Sequence, residues 1–183
     1  MKIISTPLKG AVLIELEQKG DQRGFFSRLF CSRIFDNHGL EPKIVQVNDS
    51  FSEEKGTLRG LHYQLPPYEE TKLVRCISGS IYDVILDLRQ DSPTFGRSYG
   101  VELSAENRRM LYVPRGFAHG FLTLAPSTEM LYLVSEFYSP ECERGIRWND
   151  PYFSIEWPNA PVVISEKDQS RPDFAICEGA GLR

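Results

Sequence analysis

The chain has 183 residues, of which 41% are hydrophobic and 25% charged, and its formal net charge is −4. This length favours one domain with a substantial core, so we expect residues 1–183 to form a single domain. Charges of both signs are interspersed, which excludes a basic face for a nucleic-acid backbone. No apolar run approaches the roughly 20 residues that a membrane-spanning helix needs.

The four cysteines, Cys31, Cys76, Cys142 and Cys177, lie far apart, and no pair has the C-x-x-C spacing. This distribution is typical of a reducing compartment and predicts neither a zinc site nor a disulfide framework. Residues 1–7 lack the apolar segment of a signal peptide. We therefore expect a cytoplasmic protein whose partners are neither nucleic acids nor membranes.

The first predicted element is a strand over residues 11–17, where an apolar run passes into alternation. The turn-rich residues 19–24 end this strand. Over residues 25–38 the apolar side chains recur at helical spacing, and Gly39 follows in the position of a C-cap. The sequence thus predicts one sizeable helix over 25–38.

After Gly39 the pattern changes to short segments rich in Val, Ile, Leu, Tyr and Phe, separated by turn residues. The predicted strands cover residues 43–48, 57–64, 72–77, 80–88, 99–103, 110–113, 120–124 and 130–137. The gaps between them are too short for crossover helices, which disfavours a parallel α/β fold. Residues 104–108 predict a single capped helical turn. We therefore predict a mainly β fold, an antiparallel sandwich or barrel of the jelly-roll kind with few short helices.

The segment from about residue 140 to 183 has a different composition, with five prolines and both tryptophans. Such a segment wraps over a surface more readily than it builds a second core. We find no internal repeat, so we expect the C-terminal segment to wrap the barrel of the same domain.

His62 is a candidate base. It is one of three histidines and lies in a predicted strand, with Arg59 three residues before it and Lys72 at the start of the next strand. An imidazole ionises near neutral pH and can take up and release a proton there. In a regular strand Arg59 and His62 point to opposite faces. Gly60 offers a bulge that brings both side chains to one face.

His119 follows a Pro-x-Gly turn at residues 114–116, an arrangement that resembles the second motif of cupin barrels, where the histidine is commonly a metal ligand. The first cupin motif needs another histidine two residues after His62, and Gln64 stands there. Two histidines without a settled carboxylate fall short of the three or four ligands of a catalytic metal. The residues therefore favour an acid/base pocket, and a metal-dependent cupin stays open as an alternative.

Eight segments occur in order along nearly the whole chain: residues 21–26, 58–64, 72–75, 91–96, 103–107, 114–120, 148–151 and 165–168. Together they resemble the signature motifs of the dTDP-4-dehydrorhamnose 3,5-epimerase family. The resemblance implies a cupin-type jelly-roll barrel that epimerises a nucleotide-linked 4-keto-6-deoxyhexose without a cofactor or a metal. It also implies a homodimer, because in this family the segment at 23–28 contacts the neighbour's pocket.

The resemblance also implies catalytic roles. A ketone at C4 of the sugar acidifies the protons on its neighbouring carbons, so epimerisation needs a base, a group that stabilises the enolate, and an acid on the opposite face. His62 matches the base and Asp168 matches the carboxylate that hydrogen-bonds it. Lys72 matches the residue near the C4 oxygen, and Tyr132 matches the residue that returns the proton.

The same matching implies a set of substrate-binding residues: Arg23, Arg28, Gln46, Asn48, Arg59, Asp83, His119, Glu143 and Lys167. Guanidinium groups grip diphosphates bidentately, and amides read sugar and base edges. Arg28 stands where the family commonly has Glu, and Val47 and Asp49 depart from a frequent Gln-Asp-Asn-His run. These departures leave the nucleotide carrier open.

Three alternatives to a double epimerase remain at this point. The first is an epimerase that inverts only C3 or only C5, acting on a different nucleotide carrier. The second is a metal-dependent cupin oxygenase or isomerase. The third is a sugar-binding barrel without catalytic activity, which proton exchange into a substrate would distinguish from an enzyme.

Overall fold

The structure is a computed structural model that describes residues 1–175 of the chain. Cys177 lies outside these residues. Within them are two short helices, α1 (Ser32–Asn37) and α2 (Glu166–Gln169). The strands are β1 (Lys2–Ser5), β2 (Val12–Glu15), β3 (Lys19–Asp21), β4 (Gly24–Phe26), β5 (Gln46–Ser52), β6 (Thr57–Gln64), β7 (Lys72–Ser78), β8 (Ser80–Asp87), β9 (Ser98–Ser104), β10 (Met110–Val113), β11 (Phe117–Thr123), β12 (Thr128–Val134), β13 (Glu143–Gly145) and β14 (Val163–Ile164).

Two sheets pack face to face. One has six strands in the order β1-β2-β10-β7-β12-β5, and the other has five in the order β13-β6-β11-β8-β9. All pairs in these two orders are antiparallel, and β14 adds to β6 in parallel. Side chains alternate between the faces of a strand, so each sheet contributes one apolar face to the core. The predicted mainly β fold of antiparallel strands with few short helices is confirmed.

An apolar core lies between the sheets. Val74 and Leu111 from the six-stranded sheet pack in one cluster with Ile85, Leu103 and Phe121 from the five-stranded sheet, and all five are buried. Burying a large aliphatic or aromatic side chain stabilises a fold by about 1.5–3 kcal/mol. This cluster therefore holds the two sheets together and fixes the walls of any cavity between them.

The predicted helix over 25–38 is wrong in its extent. The hairpin of β3 and β4 occupies the first part of that range, and α1 spans only Ser32–Asn37. Within α1, Phe35 is fully buried and packs edge-on against Phe30 and Tyr112, so the helix covers part of the outer face of the six-stranded sheet. Gly39, predicted as the C-cap, has φ +67° just after the helix.

The local chemistry of the β3–β4 turn explains this error. Asp21 Oδ1 accepts the backbone N–H of Arg23 at 2.9 Å, and Gly24 has φ +123°. These two features make a tight turn that places the following residues in a strand instead of a helix. Phe26 lies in β4, is 62% exposed and makes no part of the helix face that its spacing suggested.

The C-terminal segment packs on the outer face of the five-stranded sheet. Phe153, Trp157 and Phe174 lie against a cluster that includes Leu61 and Leu86 of that sheet. The backbone of Val163–Ile164 then pairs with the start of β6, and α2 follows directly. The chain thereby brings residues near position 168 beside residues near position 60.

Other sequence predictions differ from the structure mainly at element ends. The strands predicted at 57–64 and 110–113 match β6 and β10, while β5, β11 and β12 are each displaced by two to four residues at one or both ends. The predicted turn at 104–108 is present, with the Arg108 N–H donating to the Ser104 carbonyl at 3.0 Å. Neither helix of the described residues is long and apolar enough to cross a membrane.

Candidate active site

A cavity of about 520 Å³ lies between the two sheets. Strands β6 and β11 form one wall, β7 and β12 form the facing wall, and the segment from Val163 to Asp168 closes one side. Seven of the residues predicted for the site line this cavity: Arg59, His62, Lys72, His119, Tyr132, Lys167 and Asp168. Three of the seven are Lys or Arg, which suits an anionic ligand.

A bulge in β6 places Arg59 and His62 on the same cavity. His62 pairs with His119 and Arg59 pairs with Phe121, so two residues of β6 lie opposite the single residue Gly120 of β11. Gly60 has φ +113°, and a Cβ added there would lie 2.6 Å from the Cα of Gly120. Only glycine fits this close approach of two backbones. The bulge predicted at Gly60 is confirmed.

His62 and Asp168 form a hydrogen-bonded pair. His62 Nε2 lies 2.6 Å from Asp168 Oδ1, although the two residues are 106 positions apart in the chain. The carboxylate is 4% exposed and also accepts the Gly60 N–H at 3.3 Å. With Nε2–H donated to Asp168, the nitrogen of His62 left to accept a proton is Nδ1.

The charge state of Asp168 follows from its surroundings. Burial by itself raises the pKa of this carboxyl, but the hydrogen bond and charge of His62, with the Gly60 N–H, outweigh burial and hold the pKa below its usual value. Ser165 caps α2 by accepting the backbone N–H of Asp168 at 3.1 Å, which fixes the position of the carboxylate. Asp168 is therefore an anion that orients the imidazole.

A second pair lies directly beside the first. His119 Nε2 is 2.8 Å from Asp83 Oδ1, and both side chains are buried. His119 lines the cavity, whereas Asp83 lies behind it in β8. The second oxygen of Asp83, Oδ2, has no hydrogen-bond partner among the described residues. Asp83 therefore acts on the cavity only through His119.

Tyr132 and Lys72 lie on the wall opposite His62. They belong to adjacent strands, β12 and β7, and their side chains are diagonal neighbours on the inner face. Burial raises the pKa of the Tyr132 hydroxyl, and the charge of Glu70 raises it further, while Arg59 opposes the shift. A neutral phenol and an ammonium group therefore face the imidazole across the cavity.

Glu143 organises the charged groups at the edge of the cavity. Its Oε2 accepts hydrogen bonds from Lys167 Nζ and from the Tyr138 hydroxyl, both at 2.7 Å. Burial raises the pKa of Glu143, but the hydrogen bonds from Lys167 and Tyr138 outweigh this and lower it. Tyr138 was not among the residues predicted for the site. Its only signal in the sequence is an aromatic side chain directly after the predicted strand at 130–137.

Two predicted binding residues, Gln46 and Asn48, lie on edge strand β5. They share one face of this strand with Ser50, which lines the cavity. Gln46 Oε1 accepts the backbone N–H of Tyr138 at 3.0 Å. These amides thus extend the site away from His62 along β5, towards Tyr138.

Arg23 and Arg28 do not line the cavity of their own chain. Arg23 lies in the β3–β4 turn, where its guanidinium pairs with Asp21 at 2.6 Å and is largely exposed. Arg28 is exposed just after the hairpin. Both residues therefore lie on the surface of this chain.

The chemistry available in the cavity is proton transfer. A histidine oriented by a carboxylate lies on one wall, and a neutral phenol lies on the other beside a lysine. Within residues 1–175, no group of three or more His, Cys, Asp or Glu side chains is arranged to hold a metal ion, and each cavity histidine faces one carboxylate. This arrangement suits proton abstraction beside a carbonyl and proton return to the opposite face.

Comparison with known proteins identifies the family of this chain. The model of the dTDP-4-dehydrorhamnose 3,5-epimerase family matches residues 5–175. The dTDP-4-dehydrorhamnose 3,5-epimerase of Shigella flexneri is 47% identical over 175 residues, which is 95% of this chain and 96% of that protein.

Solved structures of proteins with similar names have a similar fold. The enzyme of the same name from Bacillus anthracis, with TDP and PPi bound, has a TM-score of 0.90 and 46% identity over 94% of this chain and 99% of that one. A dTDP-6-deoxy-D-glucose-3,5-epimerase from Legionella pneumophila, in complex with dTDP-4-keto-L-rhamnose, has a TM-score of 0.87 and 41% identity over 93% and 90% of the two chains. The chain belongs to the dTDP-4-dehydrorhamnose 3,5-epimerase family.

Proposed function

We propose that the protein is a cofactor-independent epimerase of a nucleotide-diphosphate-linked 4-keto-6-deoxyhexose that inverts C3 and C5. The observation that carries this proposal is the His62–Asp168 pair facing Tyr132 and Lys72 across one cavity. The names of the relatives support the substrate class, since they are 3,5-epimerases over nearly the whole chain. The enzyme is an isomerase.

The first step removes a proton from the carbon beside the C4 ketone. His62 Nδ1 takes the proton, and the electron pair of the C–H bond moves to the C4 oxygen as an enolate. The Asp168 carboxylate supports the imidazolium that forms, as a carboxylate does in hydrolase triads. The Lys72 ammonium faces the developing negative charge on the oxygen; one such electrostatic donor often contributes on the order of a hundredfold in rate.

The second step returns a proton to the opposite face of the same carbon. Tyr132 donates its hydroxyl proton, the carbonyl re-forms, and the configuration of the carbon is inverted. A phenol is protonated at neutral pH, and the raised pKa of Tyr132 extends that state to higher pH, so the hydroxyl is available as the acid. His62 then releases its proton to solvent and Tyr132 regains one from solvent, and the two steps repeat at the second carbon beside the ketone.

The diphosphate binds at the cationic edge of the cavity, where Arg59 and Lys167 lie. Arg59 is preoriented because its guanidinium donates to the Phe51 carbonyl at 2.9 Å and to Ser52 Oγ at 3.2 Å. Gln46 and Asn48 take the nucleoside. We propose thymidine as the base because the relatives are named for dTDP-sugars.

The assembly we propose is a homodimer in which the β3–β4 hairpin of one subunit reaches the cavity of the other. Three features support this: Arg23 and Arg28 lie outside their own cavity, and Phe26 is exposed on the hairpin. We also propose that residues 1–183 form one domain, which the packing of Phe153 and Trp157 on the barrel supports. The cytoplasmic location of the protein stays a prediction.

Incubation in deuterated water tests this function. The protein is mixed with dTDP-4-keto-6-deoxyglucose, or with the UDP-linked sugar, and the products are followed by NMR. Deuterium at both C3 and C5 with the dTDP-sugar is the expected result. Deuterium at one carbon would identify a mono-epimerase. A rate that depends on added iron, manganese or zinc would favour a metal-dependent cupin, and no exchange with either sugar would contradict an epimerase.

A further inference from the structure

Glu70 is a carboxylate beside the cavity for which the proposed mechanism has no role. Its Oε1 lies 3.2 Å from Lys72 Nζ, and the two side chains are 13% and 11% exposed. Glu70 does not itself line the cavity, whereas Lys72 does. Glu70 therefore contacts Lys72 from outside the cavity, while Lys72 faces the space that a ligand would occupy.

Gln64 lies beside the other oxygen of Glu70. Gln64 Nε2 is 3.3 Å from Glu70 Oε2 and closer to the Tyr68 and Phe137 carbonyls, at 2.9 and 3.1 Å, so its two N–H groups are shared among three acceptors. The Ser139 N–H donates to Gln64 Oε1 at 2.6 Å and holds the amide in place. Gln64 ends β6 in one sheet, and Lys72 begins β7 in the other. Glu70 is thus held between the two sheets.

The charge of Glu70 also reaches Tyr132. Glu70 raises the pKa of the phenol in addition to burial, and Arg59 opposes it. The other ionisable groups around this cavity are Lys72 on the adjacent strand β7, His62 and His119 on the facing sheet, and Lys167 and Asp168 of the C-terminal segment. Asn48, which pairs with Tyr132 on the other side in β5, is uncharged.

We propose that Glu70 is a positioning residue that holds the Lys72 ammonium beside the Tyr132 hydroxyl and supplies the negative charge that both groups face. This inference rests on the proposed epimerase function. An ammonium on a four-carbon stem has many rotamers, and a fixed carboxylate partner selects one of them. A displacement of 1 Å in such a group costs up to about a hundredfold in rate.

A second consequence concerns the alkaline limit of the reaction. Tyr132 acts as an acid only while its hydroxyl is protonated. Glu70 raises the pKa of that hydroxyl, so removal of the Glu70 charge lowers it and the phenol ionises at a lower pH. In the pH profile of the inversion rate, the fall on the alkaline side, called the alkaline limb, therefore moves to lower pH when residue 70 is neutral.

The test compares Glu70→Gln with the wild type in the deuterium assay over a pH series. The expected result is a kcat lower by roughly ten- to a hundredfold, a KM within about twofold, and an alkaline limb at lower pH. The control is Glu69→Gln, which removes the same charge from a residue that lines a separate pocket with Leu88 and Gly116. This control is expected to match the wild type.

A second variant separates charge from position. Glu70→Asp keeps the charge on a shorter side chain, so we expect the alkaline limb to return to its wild-type position while kcat stays reduced. Wild-type values of kcat and of the alkaline limb in both variants would overturn the role of Glu70. Absence of exchange in the wild type would instead overturn the epimerase function on which the inference rests.

Discussion

At the scale of single residues, the proposed mechanism depends on the protonation states of two groups that face each other. His62 has to be free to accept a proton at Nδ1, and Tyr132 has to be neutral to donate one. The structure meets the first condition with an anionic Asp168 on Nε2 and the second with burial and the charge of Glu70. The two roles are therefore separable by substitution.

Replacement of His62 by Asn should abolish exchange of substrate hydrogen and leave the fold intact. An amide has a shape close to the imidazole but does not accept the proton, so we expect a loss of roughly a hundred- to ten-thousandfold. The measurement is deuterium incorporation by NMR, with circular dichroism for the fold. His38→Asn is the matched control, because His38 caps α1 away from the cavity. Retained exchange in His62→Asn would contradict the base assignment.

Replacement of Tyr132 by Phe should permit proton loss but impair inversion. His62 is unchanged in this variant, so the substrate should still exchange hydrogen with solvent, while the proton no longer arrives at the opposite face. The measurement is the ratio of deuterium in recovered substrate to inverted product. Tyr99→Phe is a suitable control, because Tyr99 packs against the core. A product ratio equal to the wild type in Tyr132→Phe would refute the acid assignment.

At the scale of elements, the bulge between β6 and β11 decides which way the catalytic side chains point. A regular ladder at these strands would send Arg59 and His62 to opposite faces. The close approach of Gly60 and Gly120 allows the extra residue of β6 to fit, and both side chains then reach the cavity. We therefore expect activity to depend on Gly60 and Gly120, two residues that have no reactive group.

Gly120→Ala should therefore reduce activity through displacement of β6. A Cβ at this position would lie 2.8 Å from the Arg59 carbonyl oxygen, so the backbones have to separate, at a cost of about 1–3 kcal/mol. We expect a loss of kcat of at least about tenfold, since small displacements of catalytic groups are costly. Measurement combines urea unfolding with the exchange assay.

Gly39→Ala provides the comparison for that variant. Gly39 has φ +67° with no atom near an added Cβ, so the substitution strains the backbone beyond α1 and costs about 1 kcal/mol. Its position is remote from the cavity, so we expect lower stability with wild-type kcat. Equal loss of activity in both variants would show that Gly120 acts through stability alone.

At the scale of the whole molecule, the β3–β4 hairpin is one part of the described chain whose aromatic side chains are exposed. Arg108 stacks over the Phe25 ring at 4.8 Å, which supports one side of the hairpin, whereas Phe26 is exposed. An exposed aromatic side chain next to two exposed arginines is typical of a surface that meets a protein partner. A second copy of the chain is the partner we propose.

Phe26→Ser should weaken the dimer. Loss of a buried phenylalanine at the interface removes about 1.5–3 kcal/mol, which corresponds to an increase in Kd of roughly ten- to a hundredfold. Sedimentation equilibrium measures the change, with Val162→Ser as a control at an exposed apolar residue away from the hairpin. A wild-type protein that sediments as a monomer under active conditions would contradict the proposed assembly.

The sequence by itself determined the features that depend on neighbours in the chain. Alternating apolar residues predicted the strands, because the period of a strand is local, and β6 and β10 have the predicted bounds. Ordered motifs indicated the family and the candidate residues, and Gly60 predicted the bulge. The helix over 25–38 failed because the Asp21 side chain and Gly24 form a turn whose local bonds outweigh the apolar spacing.

Only the tertiary structure decided how distant residues meet. Apart from the motif resemblance, nothing in the sequence joins His62 to Asp168 across 106 positions; β14 pairs with β6, and the capped α2 that follows places Asp168 on His62. Glu70 and Tyr138 appear as ordinary polar and aromatic residues until folding places them on Lys72 and Glu143. The physical reason is that proton transfer depends on distances and burial, which arise only when two sheets pack.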